Sequence, residues 1–201
     1  MDLTLYQETE LEQSISSAYK KHGFLRPEDL DIDQVADAFE IDIVYYEGNP
    51  FSCNISYVIF LDKKMEPRQQ REVFFHELCH VLRHAGNQKL MPRLFLEQQE
   101  IEADRFALYA AAPFFMIREL ELPDHQKEAA DMLAEEFKLP AALARSRIEQ
   151  MQGRILQHVW QNETAKALNP SSNSVLSKSS WTEETQKLLD KLYHQLEGRE
   201  S

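Results

Sequence analysis

Val73-Phe74-Phe75-His76-Glu77-Leu78-Cys79-His80-Val81-Leu82, with Glu100-Ile101-Glu102-Ala103-Asp104 further on, is the stretch whose reading decides the fold. Residues four apart on an α-helix share one face, roughly 40° from eclipsed. His76 and His80 can therefore aim their ring nitrogens at one ion, with Glu77 beside it. The apolar residues around them predict a helix largely covered by the core, where a histidine needs a partner because unpaired polar groups are costly there. A polar stripe on a surface helix is the bland alternative, and the apolar surroundings argue against it. Zinc takes nitrogen, sulfur and carboxylate ligands, three from the protein when a position is left open for chemistry.

The acidic segment supplies the third ligand. Glu100 and Asp104 repeat the four-residue spacing, so one carboxylate can ligate while the other holds a ligand histidine by its second nitrogen. Glu102 lies about 200° around the helix from Glu100 and cannot share its face. Glu97 is one turn earlier but has Ile101, not an acid, four residues later. Glu100 is the expected ligand and Asp104 its supporting carboxylate, with the reverse assignment left open. Glu77 is the expected general base. Two groups are candidates for contact with the oxyanion or the substrate: His84, one turn past His80, and Tyr57, on a preceding strand. Each also has a plain reading, His84 as a cap or packing residue and Tyr57 as part of an ordinary strand face. Cys79 points about 100° away from His80 and reads as core.

Phe75-His76-Glu77-Leu78-Cys79-His80-Val81-Leu82-Arg83-His84 and Glu100-Ile101-Glu102-Ala103-Asp104-Arg105-Phe106-Ala107, ending at Pro113, together resemble the ImmA/IrrE metallopeptidases. The pattern of that family is H-E-L-G-H-x-x-x-H followed by E-x-x-A-[ND]-x-F-A-x-x-L-L-M-P. The resemblance assigns His76, His80 and Glu100 to its metal ligands and Glu77 to its catalytic carboxylate. Cys79 stands where the family has glycine, and Ala110-Ala111-Ala112 stands where it has a bulky run; both departures concern packing. The likeness extends more weakly from about Leu30 to Met151. It implies an intracellular protein of a prophage or other mobile element that cleaves a helix-turn-helix repressor and so acts as an anti-repressor. Spacing alone supports metal-dependent hydrolysis.

The composition suits a globular enzyme. Of 201 residues, 43% are hydrophobic and 10% aromatic, enough for one domain with a core and an appendage. The first residues lack the basic start and apolar stretch of a signal peptide, and the apolar run from Phe106 to Ile117 is too short to span a bilayer. With only Cys53 and Cys79 present, no disulfide framework is implied and the cytoplasm is the expected compartment. A formal charge of −12 speaks against direct nucleic-acid binding, yet favours encounter with a basic DNA-binding protein.

Along the chain, Leu11, Ile15, Ala18 and Tyr19 mark a helix ended by Gly23, and Asp31 caps a second helix with Gln34 in the capping-box position. Ile41–Tyr46 and Ile55–Leu61 read as strands on either side of a turn at Gly48-Asn49-Pro50, and Asn54–Phe60 is the expected substrate-binding edge. The metal helix is predicted from Pro67 to His84, stopped by Gly86-Asn87. After Pro113 the chain reads as helical. Glu128–Phe137 and Ala141–Met151 look superficially like a helix-turn-helix, with Arg145, Arg147 and Arg154 on the second helix; the plainer reading is two helices covering the metal domain.

The expected architecture is α+β. A small, mostly antiparallel sheet packs against helices, and the HExxH and ExxxD helices form a zincin-like site of gluzincin type. Residues 1–160 form the peptidase domain, helical at its end from about 124 to 160. Residues 161–180 are a serine-rich linker, and residues 181–201 form an amphipathic helix that is a candidate for regulation or homo-oligomer formation. The expected cofactor is one Zn2+ per chain, with Mn2+ an alternative, and the expected partner is a protein substrate. A non-proteolytic module that sequesters a regulator, its metal purely structural, is the competing reading. Glu77 separates the two, because a structural ion has no use for a carboxylate that does not ligate it.

Overall fold

The computed structural model describes residues 3–84 and 91–168, the last four without their side chains. Helix α1 (Glu10–Lys21) opens on a capping box in which Thr9 and Glu12 satisfy each other's backbone N–H groups, and closes at His22 before Gly23, whose φ is +83°. A short 3-10 turn at Pro27–Asp29 leads to α2 (Ile32–Ala38), which Asp31 caps by accepting from the Asp33 and Gln34 amides. Three short strands follow: β1 (Asp42–Tyr46), β2 (Phe51–Cys53) and β3 (Val58–Asp62).

The fold is α+β, as expected, but the sheet is mixed instead of mostly antiparallel. Its order is β1-β3-β2, with β1 parallel and β2 antiparallel to β3. Residues 54–57 form a tight turn in which Tyr57 adopts a φ of +53°, and this turn folds β2 back on β3. The loop at Gly48 makes no hairpin; it carries the chain past the central position to the far edge. Gly48 sits so close to the Tyr46 ring that an added Cβ would lie 2.5 Å from it. The predicted second strand therefore loses its first three residues to a turn, and β3 is the central strand. Asn54–Phe60 is consequently not an edge, because strand order is set by nonlocal pairing that a local pattern does not encode. The edges are β1 and β2. Ile59 and Leu61 are fully buried, while Phe60, on the opposite face, stacks on Phe51 with ring centroids 4.3 Å apart.

The sheet packs on α3 (Pro67–Arg83). Glu66 caps that helix by accepting from the Arg68 and Gln69 amides, Pro67 fills its first position, and His84 is its C-cap. The expected stop at Gly86-Asn87 lies outside the described residues. Against α3 lies α4 (Arg93–Ala111), and Phe74, Phe75, Leu78 and Ala103 are completely buried. Next come α5 (Phe114–Ile117), α6 (Gln126–Glu136) and the 28-residue α7 (Ala141–Leu168). Residues 161–168, assigned above to the linker, are thus helical, because nothing in Gly153 to Leu168 breaks the helix; a Cβ on Gly153 would meet only open space. The remaining linker and the helix expected at 181–201 lie outside the described residues. The residues up to Val159 form one compact unit, and the site lies in it.

The alanine run that departs from the family pattern is fully buried at Ala110, Ala111 and Ala112. Its carbonyls accept from distant elements: Tyr19 Oη donates to Ala110 at 3.0 Å and Arg147 Nε to Ala112 at 3.1 Å. Arg147 also pairs with Glu12 at 2.8 Å and has no exposed surface. It is core, so the second helix of the pair cannot offer it to DNA.

Candidate metal centre

Helices α3 and α4 meet antiparallel, so that His76 faces Asp104 and His80 faces Glu100. His76 Nε2 lies 3.1 Å from His80 Nε2 and 3.3 Å from Glu100 Oε2, and His80 Nε2 is 3.6 Å from Glu100 Oε1. A tetrahedral ion with ligands at about 2.0–2.2 Å holds its donors roughly 3.3–3.6 Å apart. The two histidine–glutamate separations fall in that range and the histidine pair just below it, so the three groups could hold one divalent cation.

What each imidazole does with its other nitrogen supports the fit. His76 Nδ1 is 3.0 Å from Asp104 Oδ1. A carboxylate can only accept, so the hydrogen of a neutral His76 sits on Nδ1 and the lone pair on Nε2 faces the other donors. His80 Nδ1 is turned away toward His84 Nδ1, 2.8 Å distant. Burial, then the neighbouring His76 and His84, push the pKa of His80 down to about 4, which keeps it in the neutral form a ligand needs. Asp104→Ala is expected to weaken zinc binding about tenfold, the lower end of the usual range for such partners, because Asp104 is 76% exposed and water competes for His76. Competition with a chromogenic chelator measures this, and an unchanged affinity would remove Asp104 from the site.

Glu77 ligates nothing in this arrangement. Its carboxyl is half-buried beside the histidines, and burial raises its pKa, only partly offset by a hydrogen bond from Ser52 and the proximity of His76. Ser52 lies on β2, so this edge strand runs alongside the carboxylate. Sequence reasoning missed Ser52, and no local pattern marks it. Glu72, one turn before His76, was missed too; burial raises its carboxyl as well.

A cleft of about 780 Å3 opens in front of His76, Glu77 and Asp104. Pro50, Met65 and Val73 form one part of its wall, Leu108 and Tyr109 another, and Leu143, Ser146 and Gln150 of α7 contribute a third. The second helix of the pair after Pro113 thus helps to build the cleft. Neither Tyr57 nor His84 lines it. Tyr57 sits on the 54–57 turn, and His84 is buried behind His80. Glu102 pairs with Arg83 at 2.7 Å and His84 at 3.4 Å. Cys79 is buried and its thiol is pushed up to about 12, first by burial and then by Glu102.

A paired-histidine helix, a facing acidic helix and a cleft on a mixed α+β scaffold thus make up the candidate site. The chain belongs to peptidase family M78, the family of the IrrE N-terminal-like domain, whose pattern matches residues 28–149. It is 32% identical to the phage-like element PBSX protein XkdA of Bacillus subtilis strain 168 over 146 residues, 72% of this chain and 74% of that one. To the uncharacterized protein YqaB of the same strain it is 28% identical over 167 residues, 82% of this chain and 97% of that one. Among solved structures, a Mycobacterium tuberculosis transcriptional regulator shares the fold with a TM-score of 0.50 at 14% identity. That likeness covers 68% of this chain and 46% of the regulator, so this chain spans less than half of its length. The resemblance drawn from the two motifs is therefore borne out. No described helix is long and apolar enough to cross a membrane.

Proposed function

We propose that this chain is a zinc-dependent, site-specific endopeptidase acting in the cytoplasm on a helix-turn-helix repressor of a prophage or related mobile element. The observation that carries this reading is the convergence of His76, His80 and Glu100 within 3.6 Å, with the non-ligating Glu77 beside them at the mouth of the cleft. Family membership and a relative named for a phage-like element support the substrate class. The acidic surface charge also favours a basic DNA-binding partner.

Held by His76, His80 and Glu100, the ion would supply Lewis acidity, acidifying water and polarising a carbonyl, and manganese could take its place. Glu77 takes the proton of the attacking water and returns it to the leaving amine, a role suited to a carboxyl whose basicity burial has raised. The Ser52 hydroxyl, donating to that carboxylate, holds it in place. A substrate segment would lie extended along the outer edge of β2, which pairs with no further strand among the described residues. Asp104 keeps the His76 ring turned toward the ion.

The test is incubation of the purified protein with a candidate helix-turn-helix repressor, sought first among the neighbouring genes, with and without chelator. Cleavage at one position, abolished by chelator and restored by zinc, is the expected result. An intact repressor under every metal condition would overturn the reading.

A further inference from the structure

Behind the candidate metal centre lies a second line of contacts that the peptidase reading does not use. His84 is buried at the end of α3, its carbonyl oxygen accepting from Asn54 Nδ2 at 2.6 Å. Its Nδ1 meets His80 Nδ1 at 2.8 Å, and its Nε2 lies 3.4 Å from Glu102 Oε2. Glu102 is fixed in turn by Arg83 Nε on its other oxygen, at 2.7 Å. Four side chains thus run in line, from His80 through His84 and Glu102 to Arg83.

Proton placement along this line has one consistent solution when His80 serves as a ligand. His80 must then present the lone pair of Nε2, so its hydrogen is on Nδ1. The facing Nδ1 of His84 has to accept, which puts the hydrogen of His84 on Nε2, where it donates to the Glu102 carboxylate. Every donor in the line then meets an acceptor. The opposite tautomer of His84 would set two hydrogens against each other across 2.8 Å.

We propose that His84, anchored by Glu102, is the positioning residue that fixes the tautomer and ring orientation of His80 toward the cation. It does for His80 what Asp104 does for His76, through an imidazole in place of a carboxylate. The inference rests on the reading of His76, His80 and Glu100 as cation ligands. It also decides a competing use of the same atoms. Cys79, His84 and Glu102 place ligand atoms within 4.8 Å of one another and could hold an ion of their own, with Cys79 Sγ 4.0 Å from His84 Nε2. That use needs the lone pair on His84 Nε2, which the line of hydrogen bonds denies it while His80 ligates.

Zinc affinity and the imidazole tautomers test the proposal. His84→Ala is expected to bind zinc 10–100-fold more weakly than the wild type. His84→Asn should recover part of that loss, because its amide oxygen can accept near the place of Nδ1. Cys79→Ala should bind zinc as the wild type does. In the zinc-loaded wild type, long-range 15N–1H spectra of the histidine rings should show His84 as the Nε2–H tautomer, a readout that needs no variant and that a merely structural residue would not dictate. An Nδ1–H tautomer of His84, or wild-type zinc affinity in a folded His84→Ala protein, would overturn the proposal. A thiolate-to-metal charge-transfer band on cobalt loading, lost in Cys79→Ala, would overturn it in favour of the thiolate site. Failure of the wild type to bind zinc, or binding unaffected by His76→Ala, would instead sink the reading of the metal centre itself.

Discussion

Glu77→Gln is expected to lose about 10²–10⁴-fold in cleavage rate while keeping its zinc and its fold. Gln matches Glu in shape and can still accept from Ser52, but it cannot take a proton from water. The substitution also removes a carboxyl that burial disfavours as an anion, so the thermal midpoint should be no lower than in the wild type. Zinc content should be unchanged, because none of the three converging ligand atoms belongs to Glu77. Parallel measurement of bound zinc, thermal midpoint and repressor cleavage separates the outcomes. A variant that keeps metal and fold yet relieves repression in cells as the wild type does would move the protein to the class of sequestering modules.

Arg147→Ala is expected to destabilise the described domain by about 3–5 kcal/mol, the usual result of breaking a buried ion pair from one side. Arg147 reaches Glu12 at 2.8 Å, the Tyr6 hydroxyl at 3.3 Å, the Ala112 carbonyl at 3.1 Å and the amide of Gln150. Its guanidinium also lies 4.8 Å from the centre of the Tyr109 ring. The side chains of Arg147 and Glu12 are only 0% and 1% exposed, so removing the cation strands a carboxylate away from water. Against a total stability of about 5–15 kcal/mol, such a loss is large. Denaturant unfolding measures it, and a loss below about 1 kcal/mol would show that Glu12 escapes to solvent or takes up a proton at little cost. Arg147→Met with Glu12→Gln should recover much of the loss, since no bare charge then remains buried.

The same pair sets an acid limit. Burial alone would raise the Glu12 carboxyl, but Arg147, the Thr9 amide and the Tyr6 hydroxyl outweigh it, and the net shift is downward from 4.5. A folded pKa below the unfolded one contributes stability that is fully present above about pH 4.5 and is lost as pH falls through the lowered value. Wild-type stability should therefore fall off in that acid window. In Glu12→Gln the fall should be shallower, from a lower starting stability, which thermal midpoints measured from pH 3 upward would reveal.

Much of the candidate site was legible because its signals are local. His76 and His80 share a helix face by periodicity alone, and the second four-residue step pointed to Glu100 and Asp104, two carboxylates that lie within 3.6 Å of those rings. Caps at Asp31 and Gly23 could be read for the same reason, since a cap is a short-range hydrogen-bond problem. Strand order could not be read this way. Nothing within residues 41–62 says that β3 inserts between β1 and β2, and an alternating pattern cannot see that residues 54–57 belong to a turn. Ser52 and the α7 wall of the cleft were invisible because they reach the site from distant parts of the chain.

Arg147 and His84 mark the boundary between the two kinds of information. In the sequence, one is a positive charge on a helix and the other a third histidine of uncertain duty. Only tertiary packing buries Arg147 against Glu12 and sets His84 between His80 and Glu102. By itself the sequence determined which side chains can share a helix face, and so the chemistry available at the cleft, because a helical turn is fixed by backbone geometry over four residues. The tertiary structure decided which faces meet, which charges lose their water and which side chains each histidine meets, because those depend on contacts between residues far apart in the chain.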